Sequence, residues 1–357
     1  MIPFEYKPAE SFDSASQQIN HRESMALAGG TTMLDLMKLN VLTPEKLIFV
    51  RPILSHDIQQ ADGRLIIGAG CTMAQLADHS FVKAQFPAIR QSLILAASPQ
   101  IRNMATIGGN LLQRTRSPYF RHPDFPADAQ VKGQSNQAFG EGADSAYLAV
   151  LGNGGRLVGT YPGDFAITLV AFDADIHLQG AEGVRTVPAR EFYRTPKEDQ
   201  SQYTTVLKEN ELINAVSFPI ASPAGSEQVA AKSLYFKVRE RSSYAFALAS
   251  ASVGLVLTGS SSKPERQSIR HARVGIGGLG SIPWHSPAAE TALEGQPASD
   301  ATFKQAAEAA LADANPPAGT AYKVKLAKAS LVRALQILRD QGPLTDEQLW
   351  AMQHGRG

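Results

Sequence analysis

The sequence lacks the features that mark disulfide-rich, membrane-spanning or nucleic-acid-binding proteins. Cys71 is the single cysteine among 357 residues, which excludes an internal disulfide framework and a four-thiolate zinc or iron–sulfur site within this chain alone. No apolar run approaches the roughly 18 residues of a membrane-spanning helix. Lys and Arg number 34 against 33 Asp and Glu, so there is no large basic field to bind a nucleic acid.

The remaining composition is that of a globular protein. Hydrophobic residues make up 43% and charged residues 19%, and the length predicts two or three domains. The first residues, MIPFEYKPAESFDSASQQ, have neither a basic start nor an apolar segment and do not resemble a secretory signal. We therefore expect the chain to be cytoplasmic, or periplasmic by co-export with a partner.

Strand and helix patterns alternate over the first hundred residues, which predicts α/β layering. The predicted elements are strands Met25–Ala28, Lys46–Val50 and Leu65–Ile67 and helices Thr31–Leu39, Met73–His79 and Phe86–Ala97, the last one ended by Pro99. Residues 113–145 have no sustained periodicity, and a loop of this length is usually functional or flexible.

A second domain is predicted to follow the linker Ala221–Ser226. Its strands are Ser233–Val238, Ala245–Leu257 and Ile269–Ile276, and helices follow at 301–312, 322–339 and 346–354, with Thr345 and Gln348 forming a capping box. Strands followed by helices indicate an α+β domain.

Two turns carry paired glycines beside hydroxyl or amide side chains. One is Gly29-Gly30 followed by Thr31 and Thr32, and the other is Gly108-Gly109 followed by Asn110. Without a Cβ atom the backbone approaches a ligand closely, and successive amides at a helix start favour a pyrophosphate. The alternative is that both are ordinary turns.

A third glycine motif is misleading. Residues 275–280, GIGGLG, match the dinucleotide-binding fingerprint, but Pro283 and Pro287 follow at once and prevent a helix from starting where the fingerprint needs it. The partial match at 68–70 lacks the expected acidic partner.

Several segments, in this order, resemble the FAD-binding medium subunit of the molybdenum hydroxylases, the xanthine dehydrogenase family. They are LAGGTTMLDLMK, ATIGGNLLQR, LKENELINAVSFP, FKVRERSSYAFALASASVGL and VGIGGLGSIPWHSPAAETALEG, and together they cover about residues 1–335. The segment QRTRSPYF and the long loop after it are most similar to the flavin subunit of periplasmic aldehyde oxidoreductases.

The resemblance implies an α+β fold whose N-terminal part is α/β-like. A vanillyl-alcohol-oxidase-type FAD-binding region would comprise subdomains 1–60 and 61–222, the second with loop 113–145. A CO-dehydrogenase-flavoprotein-type domain would span 229–335, before a helical tail at 336–357. The implied FAD pyrophosphate and ribityl contacts are Leu27, Ala28, Gly29, Gly30, Thr31, Thr32, Met33, Thr106, Gly108, Gly109, Asn110 and Leu112.

Three further positions match family residues near FAD. Asp164 matches an aspartate that hydrogen-bonds the FAD chain, Leu207 an apolar residue packing on the isoalloxazine, and Lys237 a lysine near the ring edge. The alternatives are that Leu207 is ordinary core and that Lys237 is a surface side chain.

The similar aldehyde oxidoreductases hold a [4Fe–4S] cluster through loop cysteines, and Ser117 stands at one of those positions. A hydroxyl does not replace a thiolate on iron, so we expect no [4Fe–4S] cluster in this chain. The loop's Arg114, Arg116, Tyr119, Phe120 and Arg121 form a basic and aromatic group. It is interpreted as a solvated loop, a docking surface for a partner, or a set of contacts to FAD phosphates.

Other reactive side chains give no site. The eight histidines lack metal-ligand spacing and are predicted to be surface residues, and Cys71 is predicted to be a buried small residue. No metal ligands and no catalytic acid, base or nucleophile are expected in this chain.

The resemblance implies an electron-transfer subunit of a heterotrimer. A large subunit with the molybdenum cofactor would oxidise an aldehyde or N-heterocycle, and a small subunit with [2Fe–2S] clusters would pass the electrons to FAD here. Two alternatives remain at this point: a self-standing FAD-dependent oxidase or dehydrogenase of the same fold, and a non-catalytic scaffold subunit.

Overall fold

The computed structural model of the chain describes residues 1–118, 120–121, 146–196, 204–220, 229–259 and 263–353. Tyr119, the linker Ala221–Ser226 and most of the predicted loop 113–145 lie outside the described residues.

A three-stranded parallel sheet in the order β1-β3-β2 opens the fold. Parallel neighbours need crossover connections, and a short helix follows each of the first two strands. The elements are β1 (Glu5–Pro8), α1 (Phe12–Ser16), β2 (Ser24–Leu27), α2 (Met33–Lys38) and β3 (Lys46–Phe49). The strand–helix alternation predicted for this region is confirmed, with shifted ends.

A five-stranded antiparallel sheet follows, in the order β4-β5-β8-β6-β7. Its strands are β4 (Ile58–Ala61), β5 (Arg64–Gly68), β6 (Asp175–Gly180), β7 (Gly183–Pro188) and β8 (Leu212–Pro219). The helices inserted between them are α3 (Met73–Asp78), α4 (Ser80–Gln85), α5 (Pro87–Ile94), α6 (Pro99–Met104), α7 (Ile107–Leu111), α8 (Phe165–Ala171) and α9 (Ala189–Phe192).

The C-terminal part has a four-stranded antiparallel sheet in the order β12-β11-β10-β9, and helices that pack on it. The elements are β9 (Ser233–Val238), β10 (Ala249–Thr258), β11 (Ser268–Gly277), β12 (Trp284–His285), α10 (Pro287–Leu293), α11 (Asp300–Ala310), α12 (Ala321–Gln341) and α13 (Asp346–Gln353). The predicted capping box is present, since the Thr345 amide donates to Gln348 Oε1 at 2.9 Å and the Gln348 amide to Thr345 Oγ1 at 3.3 Å.

Two prolines act differently from what the sequence analysis predicts. α5 ends at Ile94, and Pro99 lies in the first turn of α6 behind the Ser98 cap, so the prediction that Pro99 ends a helix is wrong. Pro287 likewise occupies the first turn of α10, a helix that the sequence analysis misses. Proline favours this position because its missing N–H is not needed there.

Glycines on β11 let α8 pack closely against the C-terminal sheet. A Cβ atom on Gly275 would lie 2.7 Å from the carbonyl oxygen of Ile167, and one on Gly277 would lie 2.8 Å from the Ile167 side chain. Gly278 has φ +75°, and a Cβ atom there would lie 2.7 Å from the Ala247 carbonyl oxygen. The glycines of 275–280 thus serve a strand end and a turn, and the dinucleotide fingerprint is a chance match.

Two further findings concern the described ranges alone. None of their helices is long and apolar enough to cross a bilayer. They also contain no group of three or more His, Cys, Asp or Glu side chains placed to hold a metal ion.

Candidate functional site

A cavity of about 560 Å³ lies against the first sheet, the start of α7 and the start of β8. This volume is typical of sites for small organic ligands. Its lining is Asn20, His21, Arg22, Met25, Ala26, Leu27, Ala28, Gly29, Gly30, Thr31, Thr32, Met33, Leu36, Leu42, Val50, Leu54, Ala105, Thr106, Gly108, Gly109, Leu112, Arg114, Phe120, Thr204, Thr205, Leu207, Glu209, Leu212 and Ile213.

The first glycine turn presents unused backbone donors to this cavity. Gly30 has φ +74°, a conformation that favours glycine, and α2 begins three residues later. Within the described ranges, the amides of Thr31, Thr32 and Met33 donate to no protein acceptor. Amide groups that line a cavity at a helix start form a site for an anion.

The second turn differs, because its amides are already engaged. The Gly108 amide donates to the Ala69 carbonyl at 3.0 Å, and the Gly109 amide donates to Thr106 Oγ1 at 3.3 Å. The hydroxyls of Tyr161 and Tyr193 both donate to the carbonyl of Leu111, at 3.2 and 3.3 Å, and fix the end of α7. This turn is a rigid wall of the cavity rather than a second set of free donors.

Each glycine of the two turns has its own physical reason to lack a side chain. A Cβ atom on Gly29 would overlap the carbonyl oxygen of Met104, and one on Gly108 would lie 2.9 Å from the Cβ atom of Ala69. Gly109 is exposed to the cavity, and a Cβ atom there would meet Thr106 Oγ1, at 3.0 Å. Close packing of protein on protein explains Gly29 and Gly108, whereas Gly109 is exposed beside the cavity, where we expect the missing side chain to leave space for a ligand.

The structure gathers most of the predicted binding residues. Those that line the cavity are Leu27, Ala28, Gly29, Gly30, Thr31, Thr32, Met33, Thr106, Gly108, Gly109, Leu112 and Leu207. Three predicted residues, Asn110, Asp164 and Lys237, are not part of the lining. Asn110 is buried beneath the second turn, where its Nδ2 lies 3.3 Å from Met73 Sδ.

Asp164 and Lys237 form a buried ion pair between the start of α8 and strand β9. Lys237 Nζ lies 2.6 Å from Asp164 Oδ2 and donates to the Leu95 carbonyl at 3.1 Å. Tyr235 donates from its hydroxyl to Asp164 Oδ1 at 2.6 Å. Burial lowers the pKa of Lys237, and the charge of Asp164 opposes that shift. The interpretation of Lys237 as a surface side chain is wrong, and contact of either residue with FAD stays a prediction.

The basic and aromatic group of the long loop divides into two parts. Arg114 and Phe120 line the cavity, with the Arg114 guanidinium carbon 4.9 Å from the centre of the Phe120 ring. Arg116 and Arg121 instead bind the Asp35 carboxylate of α2, Arg116 at 3.1 Å. The group is therefore not one surface, and Tyr119 lies outside the described residues.

Sequence reasoning predicted Leu207 but missed the other residues at the rim, which are residues 20–22, Thr204, Thr205 and Glu209. His21 has φ +56°, and its Nε2 lies 3.2 Å from the Glu211 carbonyl oxygen. Burial lowers the pKa of His21, so this histidine is not the surface residue that was predicted. The sequence around His21 and Arg22 has no local pattern that distinguishes it from the sequence of other turns.

Cys71 is buried, as predicted, and supports the second turn through its backbone. Its carbonyl accepts from the Ile107 amide at 2.8 Å, and burial raises the pKa of its thiol to about 12. The thiol therefore stays protonated at neutral pH and is not poised as a nucleophile or metal ligand.

Two family matches together span nearly the whole chain. Residues 2–221 match the family described as the FAD binding domain in molybdopterin dehydrogenase. Residues 234–338 match the CO dehydrogenase flavoprotein C-terminal domain. The chain belongs to the family of FAD-binding medium subunits of molybdenum hydroxylases. The cavity lies entirely within the first matched region, whereas Lys237 lies in the second.

Relatives and solved structures agree with this membership. The aldehyde oxidoreductase FAD-binding subunit PaoB of Escherichia coli (strain K12) is 36% identical over 321 residues, 88% of this chain and 91% of the relative. The carbon monoxide dehydrogenase medium chain of Afipia carboxidovorans is 28% identical over 347 residues, 94% and 97% of the two chains. A solved chain of reconstituted CO dehydrogenase from Oligotropha carboxidovorans has a TM-score of 0.70 at 26% identity, covering 95% and 99%.

The different roles of the glycines can be separated by substitution. We expect Gly109→Val to fold normally but to abolish flavin binding, because the branched side chain enters the cavity. Gly29→Ala should lower the free energy of unfolding by about 1–3 kcal/mol, because its Cβ atom meets backbone. Released flavin per chain and urea unfolding measure the two effects; a Gly109→Val chain with full flavin content would contradict the assignment.

The buried ion pair gives a double-mutant prediction. Lys237→Met leaves the Asp164 carboxylate buried without its cation and should destabilise the fold by about 3–5 kcal/mol. Adding Asp164→Asn to that variant should restore a large part of the loss, because no buried charge then remains. Unfolding free energies of the two single variants, the double variant and the unmodified chain measure the coupling. Additive losses would show that the two groups do not depend on each other.

Proposed function

We propose that this chain holds FAD in the cavity and passes electrons as the flavin subunit of a molybdenum-dependent oxidoreductase. The observation that carries the proposal is the row of unused amides at Thr31, Thr32 and Met33, residues that line one cavity together with the side-chain-free Gly109. A dinucleotide site needs both features, because the diphosphate requires hydrogen-bond donors and a backbone that it can approach closely.

The residues present fit FAD in their chemistry as well as their placement. The amides of Thr31–Met33 would hold the diphosphate. Leu27, Leu207 and Ile213 supply apolar surface for aromatic rings, and Leu207 is the residue predicted to pack on the isoalloxazine. The mixture of an apolar lining and a few convergent donors is typical of cofactor sites.

The chain's own residues bind and orient the cofactor rather than transfer protons. His21 is the one histidine among the described lining residues; it is tied to the Glu211 carbonyl, and burial lowers its pKa, so it is neutral at pH 7. Glu209 lies exposed at the rim beside Arg22. Bound FAD supplies the redox chemistry, since a flavin takes up electrons singly or in pairs.

The substrate would be oxidised in a partner chain. The relatives are named as a FAD-binding subunit and a medium chain, which favours companion subunits, and we propose a large one with a molybdenum cofactor and a small one with [2Fe–2S] clusters. The 36% identity to an aldehyde oxidoreductase subunit favours an aldehyde as substrate. This chain would add no [4Fe–4S] cluster, because its whole sequence holds one cysteine. We propose that the chain is cytoplasmic, or periplasmic if it is exported together with a partner subunit.

Purification of the chain with its companions tests this proposal. We expect FAD to remain with this chain when the subunits are separated, and molybdenum and iron to remain with the other two. The visible spectrum, released flavin and metal content of each separated subunit are the measurements. The isolated chain should not oxidise aldehydes by itself; turnover by this chain alone, or a colourless chain, would contradict the proposal.

A further inference from the structure

The cavity is lined by a cationic side chain, Arg114, that does not belong to either glycine turn. Three charged side chains belong to its described lining: Arg22, Glu209 and Arg114. Arg22 and Glu209 lie 4.0 Å apart at the rim, where both are more than half exposed, so their charges are solvated and offset each other. Arg114 is the charged side chain of the cavity's interior.

Arg114 is held in a defined orientation. Its guanidinium lies over the ring of Phe120, which is 1% exposed and also lines the cavity. Burial lowers the pKa of the guanidinium to about 10, so the group remains a cation at neutral pH. A planar cation fixed on an aromatic face presents its N–H donors in one plane, an arrangement that suits phosphate oxygens.

The chain around Arg114 is tied to the helix that starts at the first glycine turn. Arg116 and Arg121 both bind Asp35, which lies in the first turn of α2, two residues beyond Met33. These ion pairs therefore join the chain on either side of Arg114 and Phe120 to the start of α2, next to Thr31, Thr32 and Met33. Arg114 and those amides converge on one cavity.

We propose that Arg114 binds the diphosphate of the flavin nucleotide and neutralises charge that the backbone amides do not. The inference rests on the proposed function and adds a residue to it. A diphosphate carries two negative charges, whereas amides supply partial charges alone, so an arginine completes the electrostatic match. Of the three interpretations of the basic and aromatic group, this one applies to Arg114, while Arg116 and Arg121 serve to position the segment.

Flavin titrations of the full chain, after removal of bound flavin, test the assignment. We expect Arg114→Gln to weaken FAD binding by about 10- to 100-fold, the effect of losing a charge-assisted hydrogen bond. Binding of riboflavin, which has no phosphate, should change by less than about 2-fold. Dissociation constants from the quenching of flavin fluorescence measure both, and thermal unfolding shows that the variant is folded.

Matched variants make the result specific. Arg273→Gln, which removes an arginine bound to Asp173 away from the cavity lining, should leave FAD affinity within about 2-fold. Arg114→Lys keeps the charge and should bind FAD more tightly than Arg114→Gln does; it also serves if Arg114→Gln does not fold. Higher salt should weaken FAD binding by the unmodified chain more than by the Arg114→Gln variant.

Two outcomes would overturn the inference. Arg114→Gln that binds FAD as tightly as the unmodified chain does would show that Arg114 makes no contact with the nucleotide. Equal losses for FAD and riboflavin would place Arg114 at the ring instead of the diphosphate. An unmodified chain that binds no FAD would instead contradict the proposed function, so the two failures are distinguishable.

Discussion

The cavity depends on one close contact between two stretches of backbone. Gly29 packs against the carbonyl of Met104, at the end of α6, and a single added methyl group would force the two apart. This contact places the first glycine turn next to the chain that leads into the second one, and both turns line the same cavity. The residues whose amides are unused, Thr31–Met33, follow this fixed turn and line that cavity. The proposed flavin site is therefore a consequence of main-chain packing.

Rigid support surrounds this contact. The second turn has its amides bound to Ala69 and Thr106, and two tyrosine hydroxyls hold the Leu111 carbonyl at its end. At the start of α8, the Asp164–Lys237 pair joins the FAD-binding region to the C-terminal sheet. A cofactor that exchanges electrons with partner chains benefits from such support, because its position relative to them stays constant.

The sequence predicted the architecture well where local patterns decide it. Strand–helix alternation, the strands of the C-terminal sheet and the Thr345 capping box follow from periodicity and short-range hydrogen bonds. Pro99 and Pro287 were misjudged because proline both ends helices and begins them, and the choice depends on tertiary packing.

The site was predictable where the residues of each turn are contiguous. The sequence could not show that the second turn's amides are engaged, because their partners, such as Ala69, come from distant segments. The sequence also could not distinguish the role of Arg114 from the roles of Arg116 and Arg121, because Asp35, which binds the last two, lies about eighty residues earlier.

The most direct measurement of the proposed site is a crystal or cryo-EM map of the intact assembly with its flavin. We expect the diphosphate within hydrogen-bond distance of the Thr31–Met33 amides, beside Gly109; a diphosphate bound elsewhere, with these amides facing solvent, would contradict the proposed site.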